Sequence, residues 1–183
     1  MPLDAVLDAA LPVLGHYQVP GAVIAAARGE REPSFLALGT DARGMELAPD
    51  TLFPVASISK LATALAALRL VDAGNLDLDA ELIQYLPDAA AAQPGVRVRM
   101  LLSHSSGLPE DVEQDKAPYA PGLDWPIAAR ACLDTALEAP LFTRVRYSNV
   151  GYGLLATIVE RATGRPFAEA LAELVLRPLH VEA

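Results

Sequence analysis

Ser57 and Lys60 stand three residues apart in the run Phe53-Pro54-Val55-Ala56-Ser57-Ile58-Ser59-Lys60-Leu61. That spacing is almost one helical turn, so both side chains share a face. A serine hydroxyl is a weak nucleophile until an adjacent base takes its proton. Lysine acts as that base only in its neutral form, which burial among apolar groups favours. Its sequence neighbours here are Val55, Ile58, Leu61 and Leu65. The positive end of a helix dipole disfavours a second positive charge and pushes the same way. The pair is therefore suited to nucleophilic catalysis at Ser57. The same residues admit a plainer reading, with Ser57 as a helix N-cap and Lys60 as a solvated side chain.

A second group lies in Arg146-Tyr147-Ser148-Asn149-Val150-Gly151-Tyr152. A phenol and an amide two residues apart face one cleft if the backbone between them is extended. Tyr147 could then share or relay the Ser57 proton, and Asn149 could donate to a substrate carbonyl and to the serine–lysine pair. The alternative is a core tyrosine with a satisfied hydroxyl and an asparagine capping the helix that starts there. A third group is Leu101-Leu102-Ser103-His104-Ser105-Ser106-Gly107-Leu108-Pro109. No acid stands near His104 in sequence to orient it as a catalytic base. It reads as a histidine fastening a turn.

The elements that must position these residues follow from periodicity and punctuation. Residues 3–14 carry apolar side chains at helical spacing. Two apolar runs, 22–27 and 34–39, flank a polar Gly-containing turn and predict a β-hairpin. Residues 40–52 read as loop. From residue 53 onward the pattern is helical: 57–73 closed by Gly74-Asn75, then 79–85, 97–105, 126–137, 149–162 capped by Gly164, and a last helix from Pro166 to about residue 176. Residues 107–124 form a long Pro-rich and acidic loop expected to border a cleft, with Tyr119 and Trp125 as candidate wall residues. The expected division is 1–52, helix and hairpin, and 53–183, the helical region carrying the chemistry. A lone hairpin is marginal in water and leaves open edges, so it calls for more strands than this chain offers.

Composition narrows the function classes. The 183 residues are 52% hydrophobic and 20% charged, the reverse of a disordered chain. A net charge of −9 disfavours nucleic acid and anionic membrane surfaces as partners. One cysteine, Cys132, allows no internal disulfide, and three scattered histidines make a His-rich metal site an unfavoured reading. Only two of the 14 basic residues are lysines, Lys60 and Lys116, which draws attention to the one inside an apolar segment. The start of the chain lacks a basic region ahead of its apolar stretch and does not read as a signal peptide. The expectation is a soluble protein, cytoplasmic or exported and processed.

Together the motifs resemble the serine β-lactamase and penicillin-binding-protein superfamily. Ser57-Ile58-Ser59-Lys60, Leu102-Ser103-His104-Ser105-Ser106-Gly107-Leu108 and Tyr147-Ser148-Asn149 follow one another in the family's order and separation. Tyr-x-Asn rather than Ser-x-Asn points to the branch of class C β-lactamases, D,D-peptidases, D-aminopeptidases and β-lactamase-like esterases. The likeness extends from about residue 10 to the end. It includes Leu154 to Gly164 and Arg177-Pro178-Leu179. The sequence departs from the family's pattern at Ser105, where Thr is usual, and at His180-Val181, where Gly-Met is usual.

The resemblance implies an α+β fold, an α/β sandwich of β-lactamase/transpeptidase type. This chain supplies the N-terminal helix, the hairpin and the all-helical region. It also implies an acyl-enzyme hydrolase without metal or organic cofactor, acting on a lactam, amide or ester. Ser57 would be the nucleophile, Lys60 and Tyr147 would manage its proton, and Asn149 would hold substrate. The Ser57 backbone N–H would form half of an oxyanion hole. The family's third element, Lys-Thr-Gly or His-x-Gly on a strand lining the cleft, has no counterpart in this sequence. A C-terminal chain completing the sheet and the site is therefore expected. The competing readings are a ligand-binding or sensor module without turnover and an inactive fragment.

Overall fold

The computed structural model describes residues 3–113, 115 and 124–181, with side chains from residue 6 onward. The chain divides into two compact units, Met1–Pro54 and Val55–Ala183. The first carries a helix and a two-stranded antiparallel sheet, and the second is helical among its described residues.

In the first unit, helix α1 (Leu3–His16) precedes strands β1 (Gly21–Ala26) and β2 (Ser34–Gly39). The strands pair antiparallel, from Gly21 opposite Gly39 to Ala26 opposite Ser34. Beyond β2 the chain closes a small loop in which Asp41 Oδ1 accepts the N–H groups of Arg43 and Met45. Among the described residues no third strand pairs with this hairpin.

The second unit is organised around α5 (Asn149–Thr163), whose Val150, Leu154, Leu155, Ile158 and Val159 are fully buried. Helices α2 (Ser59–Asp72), α3 (Val98–Leu102), α4 (Trp125–Leu133) and α6 (Phe167–Leu171) all pack on it. α2 buries Thr63, Ala66, Ala67 and Leu70, a stripe at helical spacing. Its alanines let the two helix backbones approach closely. The opposite stripe, Ile58, Leu61, Leu65 and Leu68, is exposed. Helices α4 and α5 also pack together, with Gly153 facing Cys132. A Cβ added at Gly153 would lie 2.4 Å from the Cys132 Sγ.

Helices α1 and α5 match or exceed their apolar patterns, whereas several others run shorter, and local competition accounts for two of these losses. The expected helix over 79–85 is a single 3-10 turn, Leu82–Gln84. Asp77 Oδ1 captures the Asp79 N–H, and Glu81 is held extended by its bridge to Arg97. α3 stops before 105 because His104 adopts φ +57°. The last helix gives way at Ala172 to a π-helical turn and then to a 3-10 turn, Arg177–Leu179. Among the described residues no helix is long and apolar enough to cross a membrane.

Candidate active site

The nucleophile candidate sits in a turn rather than at a helix cap. Ala56 has φ +44°, a left-handed conformation that costs a residue with a Cβ about 1–2 kcal/mol. The kink feeds a 3-10 turn over Ala56–Ile58, from which α2 continues. Ser59 Oγ locks it by donating to the Ala56 carbonyl at 2.6 Å. The Ser57 side chain caps no helix N–H, which corrects the plainer reading of it as an N-cap. It is exposed, and its Oγ lies 2.5 Å from the Tyr147 hydroxyl, 90 residues further along the chain.

Tyr147 and Asn149 reach the same place because Ser148 between them is extended, with φ −141° and ψ 117°. Ser148, not Asn149, is the N-cap of α5. Its Oγ accepts the Gly151 N–H at 3.0 Å and donates to the Pro109 carbonyl at 2.6 Å. Relieved of the cap, the Asn149 side chain turns to the site. Its Oδ1 accepts from Lys60 Nζ at 2.5 Å. The sequence expectation had Asn149 donating to the serine–lysine pair. It accepts instead, because an ammonium can only donate.

Lys60 is half-buried, but not by the residues its sequence neighbours suggested. Val55, Ile58, Leu61 and Leu65 are all exposed. The amine lies against two phenol rings, 4.7 Å from the Tyr147 centroid and 5.7 Å from that of Tyr152. Such contacts stabilise a cation over an aromatic face. The Lys60 amine beside the Tyr147 oxygen, together with the Ser57 hydroxyl, holds that phenol below its ordinary value near 10. Its ionised form is therefore less costly to reach than that of an isolated tyrosine.

His104 supports this arrangement from behind. Its ring lies between those of Tyr147 and Tyr152, with centroids 4.9 and 5.1 Å away. Its Nδ1 accepts the Ser148 backbone N–H at 3.1 Å, and its carbonyl accepts the Arg146 N–H at 2.9 Å. Burial first, then the Lys60 charge, push its imidazole below its ordinary value. It fastens the segment that carries Tyr147, in line with the turn-fastening role read from sequence. Gly107 holds the adjoining turn at φ +82°, where a Cβ would lie 2.1 Å from the Ala139 carbonyl oxygen.

Asp111 was not legible in the sequence. It lies in the loop expected only to border a cleft, and nothing distinguishes it there from the loop's other acids. Its Oδ2 accepts from Asn149 Nδ2 at 3.0 Å, which extends the chain of contacts to Asp111, Asn149 and Lys60. Of the two candidate wall residues, Tyr119 lies outside the described residues. Trp125 packs instead, donating from Nε1 to Glu160 at 2.9 Å and stacking on Phe167. Among the described residues no cluster of His, Cys, Asp and Glu is arranged to hold a metal ion.

The family pattern described as Beta-lactamase matches residues 7–183. The chain is 35% identical over 174 residues to a penicillin-binding protein 4 of Amycolatopsis lactamdurans, covering 90% of this chain and 44% of that protein. It is 35% identical over 195 residues to the esterase EstB of Burkholderia gladioli, covering 97% of this chain and 49% of that one. The solved D-amino acid amidase of Ochrobactrum anthropi SV3 superposes with a TM-score of 0.82 at 28% identity, over 98% of this chain and 51% of the amidase. The chain thus spans about half the length of these relatives. On the family match and the ordered motifs, the chain belongs to the beta-lactamase family.

Proposed function

We propose that this chain carries the nucleophilic half of a serine hydrolase that works through a covalent acyl-enzyme. The observation that carries the reading is the 2.5 Å contact between Ser57 Oγ and the Tyr147 hydroxyl, with Lys60 anchored on Asn149 beside it. Ser57 Oγ attacks the carbonyl carbon of an amide, lactam or ester, and its proton passes to the Tyr147–Lys60 pair. Tyr147 lies beside the Ser57 hydroxyl and Lys60 against the Tyr147 ring, so the base role is proposed for the pair rather than for either residue. The tetrahedral oxyanion meets the Ser57 backbone N–H at the positive end of α2. As the C–N or C–O bond breaks, the pair returns the proton to the leaving nitrogen or oxygen. Water then attacks the ester on Ser57, releases the acid and restores the hydroxyl. Asn149 has one amide proton bonded to Asp111 and one left for substrate.

The names of its relatives, a penicillin-binding protein, an esterase and a D-amino acid amidase, support a lactam, ester or amide as the substrate class proposed here. A C-terminal polypeptide is proposed to complete the sheet and supply the second oxyanion donor. The hairpin edges, unpaired among the described residues, and the exposed stripe of α2 support that role for it. The competing reading is a binding module acylated once without release. Chromogenic esters, a chromogenic β-lactam and D-amino acid amides offered to the protein with its completing polypeptide separate the two. Steady turnover lost in Ser57→Ala supports the hydrolase. A burst with no steady rate supports the binding module.

A further inference from the structure

We infer that Asp111 is a positioning residue for the Ser57 chemistry: it fixes which end of the Asn149 amide faces Lys60. The inference rests on the hydrolase reading for its consequence and on geometry for its basis. An asparagine amide has a donating end and an accepting end of nearly equal shape, and rotation by half a turn exchanges them. An ionised carboxylate only accepts and an ammonium only donates. Asp111 Oδ2 at 3.0 Å from Asn149 Nδ2 therefore commits Oδ1 to the other side, where Lys60 Nζ meets it at 2.5 Å. With the amide reversed, Nδ2 would confront the Lys60 ammonium donor to donor, and the amine would lose its anchor.

The loop that carries Asp111 is tied to the start of α5 at three successive residues. Pro109 O accepts from Ser148 Oγ, Glu110 O accepts from the Asn149 N–H at 2.7 Å, and Asp111 takes the Asn149 amide. The carboxylate is therefore held at a set distance from the amide. Its other oxygen, Oδ1, is buried and finds no hydrogen-bond partner among the described residues. A neutral side chain would avoid the cost of an incompletely solvated charge. The charge also reaches the catalytic tyrosine candidate, since Asp111 opposes ionisation of Tyr147 while Lys60 favours it.

Two variants separate positioning from simple support. Asp111→Asn keeps an acceptor for Asn149 and removes the charge, whereas Asp111→Ala removes both. The acylation rate of Ser57 by a fluorophosphonate is expected to fall about 10- to 100-fold in Asp111→Ala, as for a misplaced catalytic group. It should fall only several-fold in Asp111→Asn, with the half-saturating probe concentration little changed in either. The Tyr147 phenol, followed by ultraviolet difference against Tyr147→Phe, should titrate at lower pH in Asp111→Asn than in the wild type. The Asn149 side-chain amide protons, followed by NMR in the unlabelled protein, should lose their distinct hydrogen-bonded signal in Asp111→Ala. Wild-type labelling rates in both variants with an unchanged Asn149 signal would overturn the inference. If the wild type itself is not labelled, the hydrolase reading fails, and the Asn149 signal alone decides the positioning role.

Discussion

His104 Nδ1 accepts the backbone N–H of Ser148 at 3.1 Å, so a ring nitrogen sets the strand-like segment that aims Tyr147 and Asn149. That bond exists only while Nδ1 is unprotonated. Burial holds the folded imidazole below its ordinary 6.5. As pH falls below that value, the unfolded chain takes up a proton that the folded chain refuses. Stability is therefore full above the unfolded value and is lost as pH falls through it towards the folded one. The urea midpoint of the wild type is expected to drop between pH 7.5 and 5.5. In His104→Asn the drop should shrink, since asparagine tolerates the left-handed backbone and its Oδ1 can accept from Ser148. Parallel pH dependence in the two proteins would remove His104 as the cause.

Tyr147→Phe removes the only phenolic oxygen within hydrogen-bond distance of Ser57 among the described residues. The ring and its packing on His104 and Lys60 remain. Loss of a positioned proton carrier typically costs about 10²- to 10⁴-fold in rate. The acylation rate of Ser57 should fall by that order, while thermal stability changes little because the hydroxyl is near the surface. Stopped-flow acylation by a chromogenic ester measures the first effect and calorimetry the second. An unchanged acylation rate would assign the proton to Lys60 alone.

The α4–α5 crossing depends on a missing side chain. Gly153→Ala places a Cβ 2.4 Å from Cys132 Sγ, inside any tolerable contact. Overpacking of this kind costs about 1–3 kcal/mol. Trimming the other partner with Cys132→Ala should restore part of that loss, so the double variant is more stable than additivity allows. Urea unfolding of the four proteins in the cycle checks the coupling. Burial lifts the Cys132 thiol to about 11, so alkylation at neutral pH should be slow until the unit unfolds.

Ser148→Ala strikes a single atom with two structural tasks. Its Oγ caps α5 and ties that helix to Pro109. Loss of the cap alone costs about 0.5–2 kcal/mol, and the orphaned Pro109 carbonyl adds to it. Both Tyr147 and Asn149 flank the damaged residue, so acylation should fall together with stability. Ser148→Thr keeps the oxygen and should recover most of both. A variant that loses stability and keeps full acylation would show that the catalytic geometry survives without this cap.

Much of the arrangement was legible from residue types and spacing. The hairpin at 21–26 and 34–39 followed from two apolar runs around a polar turn. The meeting of Tyr147 with Ser57 followed from ordered motifs and not from local pattern, since 90 residues separate them. What stayed hidden depended on tertiary choices. The identity of the α5 cap turned on whether Ser148 or Asn149 found a second partner, and Pro109 decided it for Ser148. The environment of Lys60 was misread because helical neighbours in sequence point to several faces, and Ile58, Leu61 and Leu65 point away from it. Asp111 lies among the acids of an irregular loop, where periodicity carries no signal. The helix expected at 79–85 lost to side-chain capture of backbone N–H groups, a competition that short polar residues often win.

The most direct measurement is the site of acyl transfer itself. The protein is incubated separately with a fluorophosphonate, a β-lactam and a D-amino acid ester, then digested and mapped by peptide mass spectrometry. A mass increment on the peptide containing Ser57, absent in Ser57→Ala and slowed in Tyr147→Phe, is expected with at least one of these probes. An unmodified Ser57 across all three, in protein shown to be folded, would contradict a nucleophilic role for this residue.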